Sequence, residues 1–135
     1  MEITKTVEVN GSVQEVIEKV RNVLQTQQFG IISLVNVSEK IEEKTGNKMA
    51  PYVILGACNP KLSYQAIQSD ERIGILLPCN VVVTETSDGH CKVMFSNPIP
   101  MMAIEPFGQN ATIQAVAKQA YDNLLAAADE LANNE

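Results

Sequence analysis

The dipeptide Asp88-Gly89, set between two apolar, β-branched stretches, is the feature that most restricts how this chain can fold. Asp-Gly is favoured at the centre of a two-residue hairpin turn, so it predicts that Ile73 to Thr86 and His90 to Ser96 pair as antiparallel strands, with Ser87 opposite His90. In that register Glu85 faces Lys92, Val82 faces Phe95 and Thr84 faces Val93, which sets opposite charges and apolar pairs across from one another. The first strand is apolar at both parities. Ile75, Leu77, Val81 and Val83 would crowd one face and Leu76, Val82 and Thr84 the other, so both faces need a cover.

Upstream, Glu2 to Val9 alternates and ends at the turn signal Asn10-Gly11, as a half-buried strand does. Ser12 and Glu15 have the spacing of a capping box. Val13, Val16, Ile17, Val20 and Leu24 then recur at three and four residues, which predicts a helix to about Gln27. Phe29 to Val37 reads as a second strand, and Ser38 as the cap of a short helix through Lys44 that Gly46 ends. Met49 to Cys58 is a third strand with apolar side chains on both faces. Asn59-Pro60 supplies a cap and a first helical residue, followed by about ten residues with Leu62, Ala66 and Ile67 inward.

After Ser96, the stretch Asn97 to Gly108 is apolar but broken by prolines, and is expected to pack as an ordered loop with no helix of any length. Asn110 caps a long last helix with its apolar line at Ile113, Val116, Ala117, Ala120, Leu124 and Leu131 and Tyr121 on the margin, and Asn-Asn-Glu is expected to fray. The order is β-α-β-α-β-α-β-β-α. It predicts an α+β fold in which helices lie along one side of a mainly antiparallel five-stranded sheet. The second face of Ile73 to Val83 is then left for the short helices or for a second copy of the chain, and a two-fold homodimer is the commonest arrangement that would cover it.

A length of 135 residues suits one domain, residues 1–135, with one core. No run reaches the 18 or so apolar residues that span a bilayer, and Met1 to Lys5 lacks the basic-then-apolar order of a secretory signal, so no membrane association and a cytoplasmic location are expected. The net charge of −6 argues against nucleic acid as a partner. Three cysteines without a Cys-x-x-Cys pair are expected to be thiols.

Two Cys-Asn dipeptides stand out as sites for chemistry. Cys58-Asn59 lies where a strand enters a capped helix, where amide dipoles favour a thiolate; the plainer reading is a small side chain at a tight turn beside Gly56 and Ala57. Cys79-Asn80 follows Pro78, which inside a strand marks a bulge that would turn Cys79 and Asn80 toward a pocket shared with the Pro98 to Met102 loop; alternatively Asn80 satisfies backbone groups that Pro78 leaves free. Met101-Met102 suits either loop packing or the wall of an apolar ligand site. The candidate ligand-binding residues are therefore Cys58, Asn59, Cys79, Asn80, Met101 and Met102. His90 and Cys91 point to opposite faces of a strand and no ligand pair has metal-finger spacing, so no metal site is expected; His90 at a hairpin tip has no triad partner. A Cys79–Cys91 disulfide is ruled out by the hairpin register, and a Cys58–Cys79 pairing stays open.

The segments Leu55-Gly56-Ala57-Cys58-Asn59-Pro60 and Gly74 to Val83, with Leu77-Pro78-Cys79-Asn80 at their centre, resemble the bacterial and archaeal domain of unknown function 302 family. The likeness extends over nearly the whole chain, including Asn97-Pro98. It implies a fold similar to the TATA-binding-protein-like class, with a curved sheet gripping a long C-terminal helix and homodimers among its members, but implies neither DNA binding nor an established activity. Three functions are consistent with these residues. The first is a homodimeric small-molecule-binding or accessory module without its own catalysis, holding a small apolar or cofactor-like ligand, haem being one conceivable occupant. The second is a thiol-dependent enzyme or redox sensor using Cys58 or Cys79. The third is a protein-interaction domain.

Overall fold

A computed structural model describes residues 1–135. The elements are β1 (Thr4–Asn10), α1 (Val13–Gln25), β2 (Gly30–Asn36), α2 (Val37–Thr45), β3 (Tyr52–Cys58), α3 (Pro60–Ser69), β4 (Cys79–Ser87), β5 (His90–Ser96), the one-turn α4 (Pro98–Met101) and α5 (Ala111–Asn133). Short 3₁₀ helices occupy Glu71–Leu76 and Phe107–Gln109. All five strands form one antiparallel sheet in the order β1-β5-β4-β3-β2. No helix is long and apolar enough to cross a membrane.

Local chemistry accounts for where the helices begin. Ser12 Oγ accepts from Glu15 N–H at 3.2 Å and Glu15 Oε1 from Ser12 N–H at 3.1 Å, closing the capping box at the head of α1. The cap of α2 is Asn36, not Ser38: Asn36 Oδ1 accepts from Glu39 N–H at 3.1 Å, while Ser38 Oγ is drawn away to Asn36 Oδ1 and Tyr52 N–H. Gly46 ends that helix in the left-handed conformation expected of it. Asn59, Asn97 and Asn110 cap α3, α4 and α5 in the same way.

The core has two parts. The larger packs α1 and the C-terminal half of α5 on one face of the sheet, through Val16, Val20 and Leu24, Leu124, Ala128 and Leu131, and the inward strand residues Val53, Leu55, Val81, Val83, Val93 and Phe95. The smaller gathers Ala66, Ile73, Met102 and Phe107 against Ile113, Val116 and Ala117 at the start of α5. This second core explains why Ile73 to Leu77 do not extend β4. Asp70 Oδ1 accepts from Arg72 N–H at 3.0 Å and starts a 3₁₀ turn that sends Ile73 into the small core and leaves Ile75 86% exposed. Pro78 accordingly stands before the strand and makes no bulge within it. Ile67 points outward, as Ala66 alone of α3 is fully enclosed. The Asn97 to Gly108 stretch does contain a helical turn, since Asn97-Pro98 supplies a cap and a first residue that lacks the N–H a helix start leaves unpaired.

The hairpin turn is where Asp88-Gly89 places it, with Ser87 opposite His90, but the register changes one step later. Thr86 bulges, so Glu85 faces Cys91, Thr84 faces Lys92, Val83 faces Val93 and Val82 faces Met94. The reason is facial: Val81 and Val83 must share an inner face with Cys91, Val93 and Phe95, and an unbulged register would put the two sets on opposite faces. Lys92 finds its opposite charge in Glu8 of β1. The last residue is also held: Glu135 accepts from Asn10 N–H at 2.6 Å and from Lys19 Nζ at 3.0 Å, so the end of α5 is tied to the end of β1 and is not frayed.

On the outer face of the sheet no helix covers the row Val35–Ile54–Val82–Met94, which runs in register across four strands. Gly56, also on that face, is enclosed because Ser33 Oγ and the Pro78 ring close over it; an added Cβ would overlap Ser33 Oγ and come within 2.8 Å of Pro78 Cγ. Replacing Gly56 with Ala is therefore expected to destabilise the fold by about 1–3 kcal/mol, as overpacking does. Urea unfolding measures it, and an unchanged midpoint would show that Pro78 can yield.

Candidate functional site

The strand-to-helix corner at the end of β3 builds the site. Asn59 is only 6% exposed. Its backbone oxygen accepts from Ser63 N–H at 2.9 Å and its Oδ1 from Leu62 N–H at 3.2 Å, which anchors the first turn of α3. Its side-chain amide nitrogen donates to no protein atom, yet is not sealed from solvent. Two spaces meet at this residue.

The first is a groove of about 770 Å³ between α3 and α5, open to solvent on one side. Its polar lining is almost wholly carboxamide: Asn59, Gln28, Gln65, Gln119 and Asn123, with Lys61 as its one ionisable side chain. Gln119 and Asn123 are joined by a 2.9 Å hydrogen bond one turn apart on α5. Gln28 reaches the groove from the α1–β2 turn, where it holds φ at 64°, a left-handed conformation usually left to Gly or Asn at a helix end. The second space is an apolar cavity of about 20 Å³ behind Asn59, Leu62 and Val116, walled by Phe29, Cys79 and Met102 among others. It has room for about one water molecule.

Of the six residues singled out in the sequence, Asn59, Cys79 and Met102 come together around that cavity. Cys58, Asn80 and Met101 stand apart from it. The two Cys-Asn segments are neighbours in the sheet, with Ala57 paired to Cys79 and Gly56 to Asn80. Ala57 and Cys79 share the inner face, so Cys58, one residue further on, turns the other way and lies 3.4 Å from Ser63 Oγ. Asn80 is exposed on the outer face. Met101 is largely at the surface and Met102 is buried, so the Met-Met pair divides between solvent and the small core.

All three cysteines are thiols. Burial, and secondarily the nearby Cys58, push the Cys79 thiol up to about 11, where about one molecule in ten thousand is thiolate at neutral pH. Burial and then Glu85 raise Cys91 as well. No three His, Cys, Asp or Glu side chains are grouped to hold a metal ion. A haem does not fit the cavity that Cys79 and Met102 share, given its volume.

Gln28, Lys61, Gln65, Gln119 and Asn123 were not legible as a site in the sequence. The available signal was spacing: Lys61 and Gln65 on α3, and Gln119 and Asn123 on α5, stand four residues apart and so form polar lines on two helices that pack together.

Residues 5–131 match the family described as Domain of unknown function DUF302. Among solved structures, the chain is similar to the crystal structure of an uncharacterized conserved protein DUF302 from Bacillus stearothermophilus, with 26% identity, a TM-score of 0.84 and coverage of 97% of this chain and 99% of that one. No curated protein matches.

The differing thiol environments give an ordered alkylation. Iodoacetamide is expected to modify Cys58 first in the native protein, with Cys79 and Cys91 reacting after denaturation, as peptide mass mapping would show. Native-state modification of Cys79 at the rate of Cys58 would overturn the assignment of Cys79 as an inert wall.

Proposed function

The chain belongs to the DUF302 family, and within it we propose that this member is a cytoplasmic, homodimeric small-molecule-binding or accessory module without catalysis of its own, its ligand lying in the groove between α3 and α5. The observation that carries this reading is the groove's lining. At about 770 Å³ it falls in the size range of small-ligand sites, and its carboxamides offer both donors and acceptors on facing walls. With Lys61 its one ionisable side chain and no carboxylate, histidine or thiol among its lining residues, it can hold a molecule but supplies no acid–base pair. The volumes also favour a polar ligand body over the small apolar one that the Met-Met pair suggests, because the apolar cavity behind Asn59 is too small for more than a water.

The thiol-dependent reading has less support: Cys79 is buried with its thiol pushed up, and Cys58 is hydrogen-bonded to Ser63 Oγ. A cytoplasmic setting is supported by three cysteines that remain thiols. A net charge of −6 speaks against nucleic acid.

The homodimer in this reading is supported by the row Val35–Ile54–Val82–Met94. A two-fold axis over this face would set the row of one protomer against its own copy, a self-complementary contact that needs no other partner. Lys92 and Glu8 flank the row as an opposite-charge pair, so the face carries no net charge to repel its copy.

Two measurements test the proposal. Native mass spectrometry of gently purified protein is expected to show an added mass that Gln119→Trp, which fills the groove without entering the core, removes; no added mass in either protein would count against the ligand. Light scattering after size exclusion is expected to give dimer mass at micromolar concentration and monomer mass for Val82→Lys. Monomer mass for the unsubstituted chain would dispose of the dimer.

A further inference from the structure

Two features of the groove bear on the class of molecule it takes. The first is a pairing on α5. Gln119 Nε2 donates to Asn123 Oδ1 at 2.9 Å, and neither side chain has a second partner in the protein. A carboxamide nitrogen only donates and its oxygen only accepts, so the joined pair presents one fixed acceptor, Gln119 Oε1, beside one fixed donor, Asn123 Nδ2. With the roles of the two amides exchanged, the pair would still present one of each. A carboxylate would set an oxygen against the free oxygen of the pair, and an ammonium would set a hydrogen against its free N–H. A ligand edge that carries an N–H beside a C=O meets both.

The second feature is Gln28. Its N–H donates to the Gln25 carbonyl at 3.2 Å and Phe29 N–H to the Leu24 carbonyl at 3.0 Å, the pattern that closes a helix on a left-handed residue. The chain's other residues of positive φ are Gly11, Gly46 and Gly89, and Gly46 ends α2 in this same conformation. Gln28 alone carries a side chain there, at φ 64°; that side chain lines the groove and bonds to no other residue. Glycine would remove the strain, so what the strained residue offers is its carboxamide in the groove.

We propose that the groove selects an uncharged small molecule by an amide edge, an N–H and a C=O side by side as in a lactam ring, which the Gln119–Asn123 pair reads and Gln28 holds from the α1–β2 turn. The inference rests on the groove being a ligand site at all. It adds the chemical class of the ligand and the residues that select it. Leu62, Ala115 and Val116 supply apolar surface for the hydrocarbon part of the ring. Sugar hydroxyls donate and accept alike, so they would satisfy the pair without being selected by it; an ester edge offers two acceptors and leaves the acceptor of the pair unmatched.

The test is a nitrogen–proton NMR titration of the full chain, read at the side-chain amides of Gln28, Gln119 and Asn123, with three probes: 2-pyrrolidinone, γ-butyrolactone, which has the same shape with a ring oxygen in place of the N–H, and glucose. Pyrrolidinone is expected to shift all three side-chain amides and to bind about fivefold more tightly than the lactone. Asn123→Asp, which turns the free donor of the pair into an acceptor, is expected to abolish that preference. Gln28→Ala and Gln28→Gly are both expected to weaken pyrrolidinone binding, while Gln28→Gly raises the thermal midpoint by about 2–5 °C, since it loses the side chain and the strain together. Lactone or glucose binding the groove as tightly as pyrrolidinone would overturn the amide-edge assignment and leave the groove reading standing. Unweakened binding by Gln28→Gly, or a lowered midpoint, would overturn the part given to Gln28. No groove amide moving with any probe would overturn both the assignment and the groove.

Discussion

The fold depends on the burial of one long stripe on α5. At 23 residues the helix is about 35 Å long, longer than the width of the α1 layer it lies beside, so a single core cannot use all of it. Its last turns, through Leu124, Ala127, Ala128 and Leu131, close the sheet against α1. Its first turns, through Ile113, Val116 and Ala117, extend past the sheet and need a second partner, which α3 and the two loops with 3₁₀ turns provide. Each fully buried aliphatic side chain contributes about 1.5–3 kcal/mol, enough that ordering the proline-rich stretch from Asn97 to Gly108 is worthwhile only because Met102 and Phe107 reach this second core.

The sharp corners between layers are made by asparagine. Asn36, Asn59 and Asn97 each end or follow a strand, Asn110 follows the 3₁₀ turn Phe107–Gln109, and each accepts an amide of the helix that follows; two of them are followed by proline. A cap of this kind fixes the direction in which the helix leaves the strand. At Asn59 the consequence reaches beyond stability, since the same side chain that starts α3 forms part of the wall of both spaces near it. Asn97 shows the contrasting case: its amide nitrogen donates to the Glu2 carbonyl at 3.0 Å and its Oδ1 accepts from Ile99 N–H at 3.0 Å, so both ends of its side chain are partnered inside the protein.

Signals confined to a few adjacent residues were legible in the sequence. The capping box at Ser12, the Asp88-Gly89 turn, the Asn59-Pro60 helix start and the stripe of α5 all depend on neighbours within a turn or two. Features set by distant partners were not. The Thr86 bulge is needed because two strands must present the same face to α1 and α5, and nothing local to Thr86 states that requirement. Ile73 to Leu77 has the apolar run of a strand, but a short run reads alike for a strand and for any buried segment, and only the presence of a second core decides it. The two Cys-Asn segments were visible as a pair, and they do adjoin in the sheet. The groove beside them was not, because glutamines on a helix surface look like any solvated face until a second helix is set opposite.

The groove also lies where the two cores meet. Leu62 packs against both, and Val116 belongs to the smaller one while lining the groove. A molecule seated between α3 and α5 would thus touch the one place where the sheet core and the loop core share side chains, and its binding energy would add to the cohesion between them. This gives a physical reason for leaving the groove polar. Filled with leucines, it would fuse the two cores into one and bury the head of α3 for good. Lined with amides, it stays open, with the head of α3 held by the Asn59 cap and by Leu62, and a ligand bonded to those amides would strengthen the join between the cores.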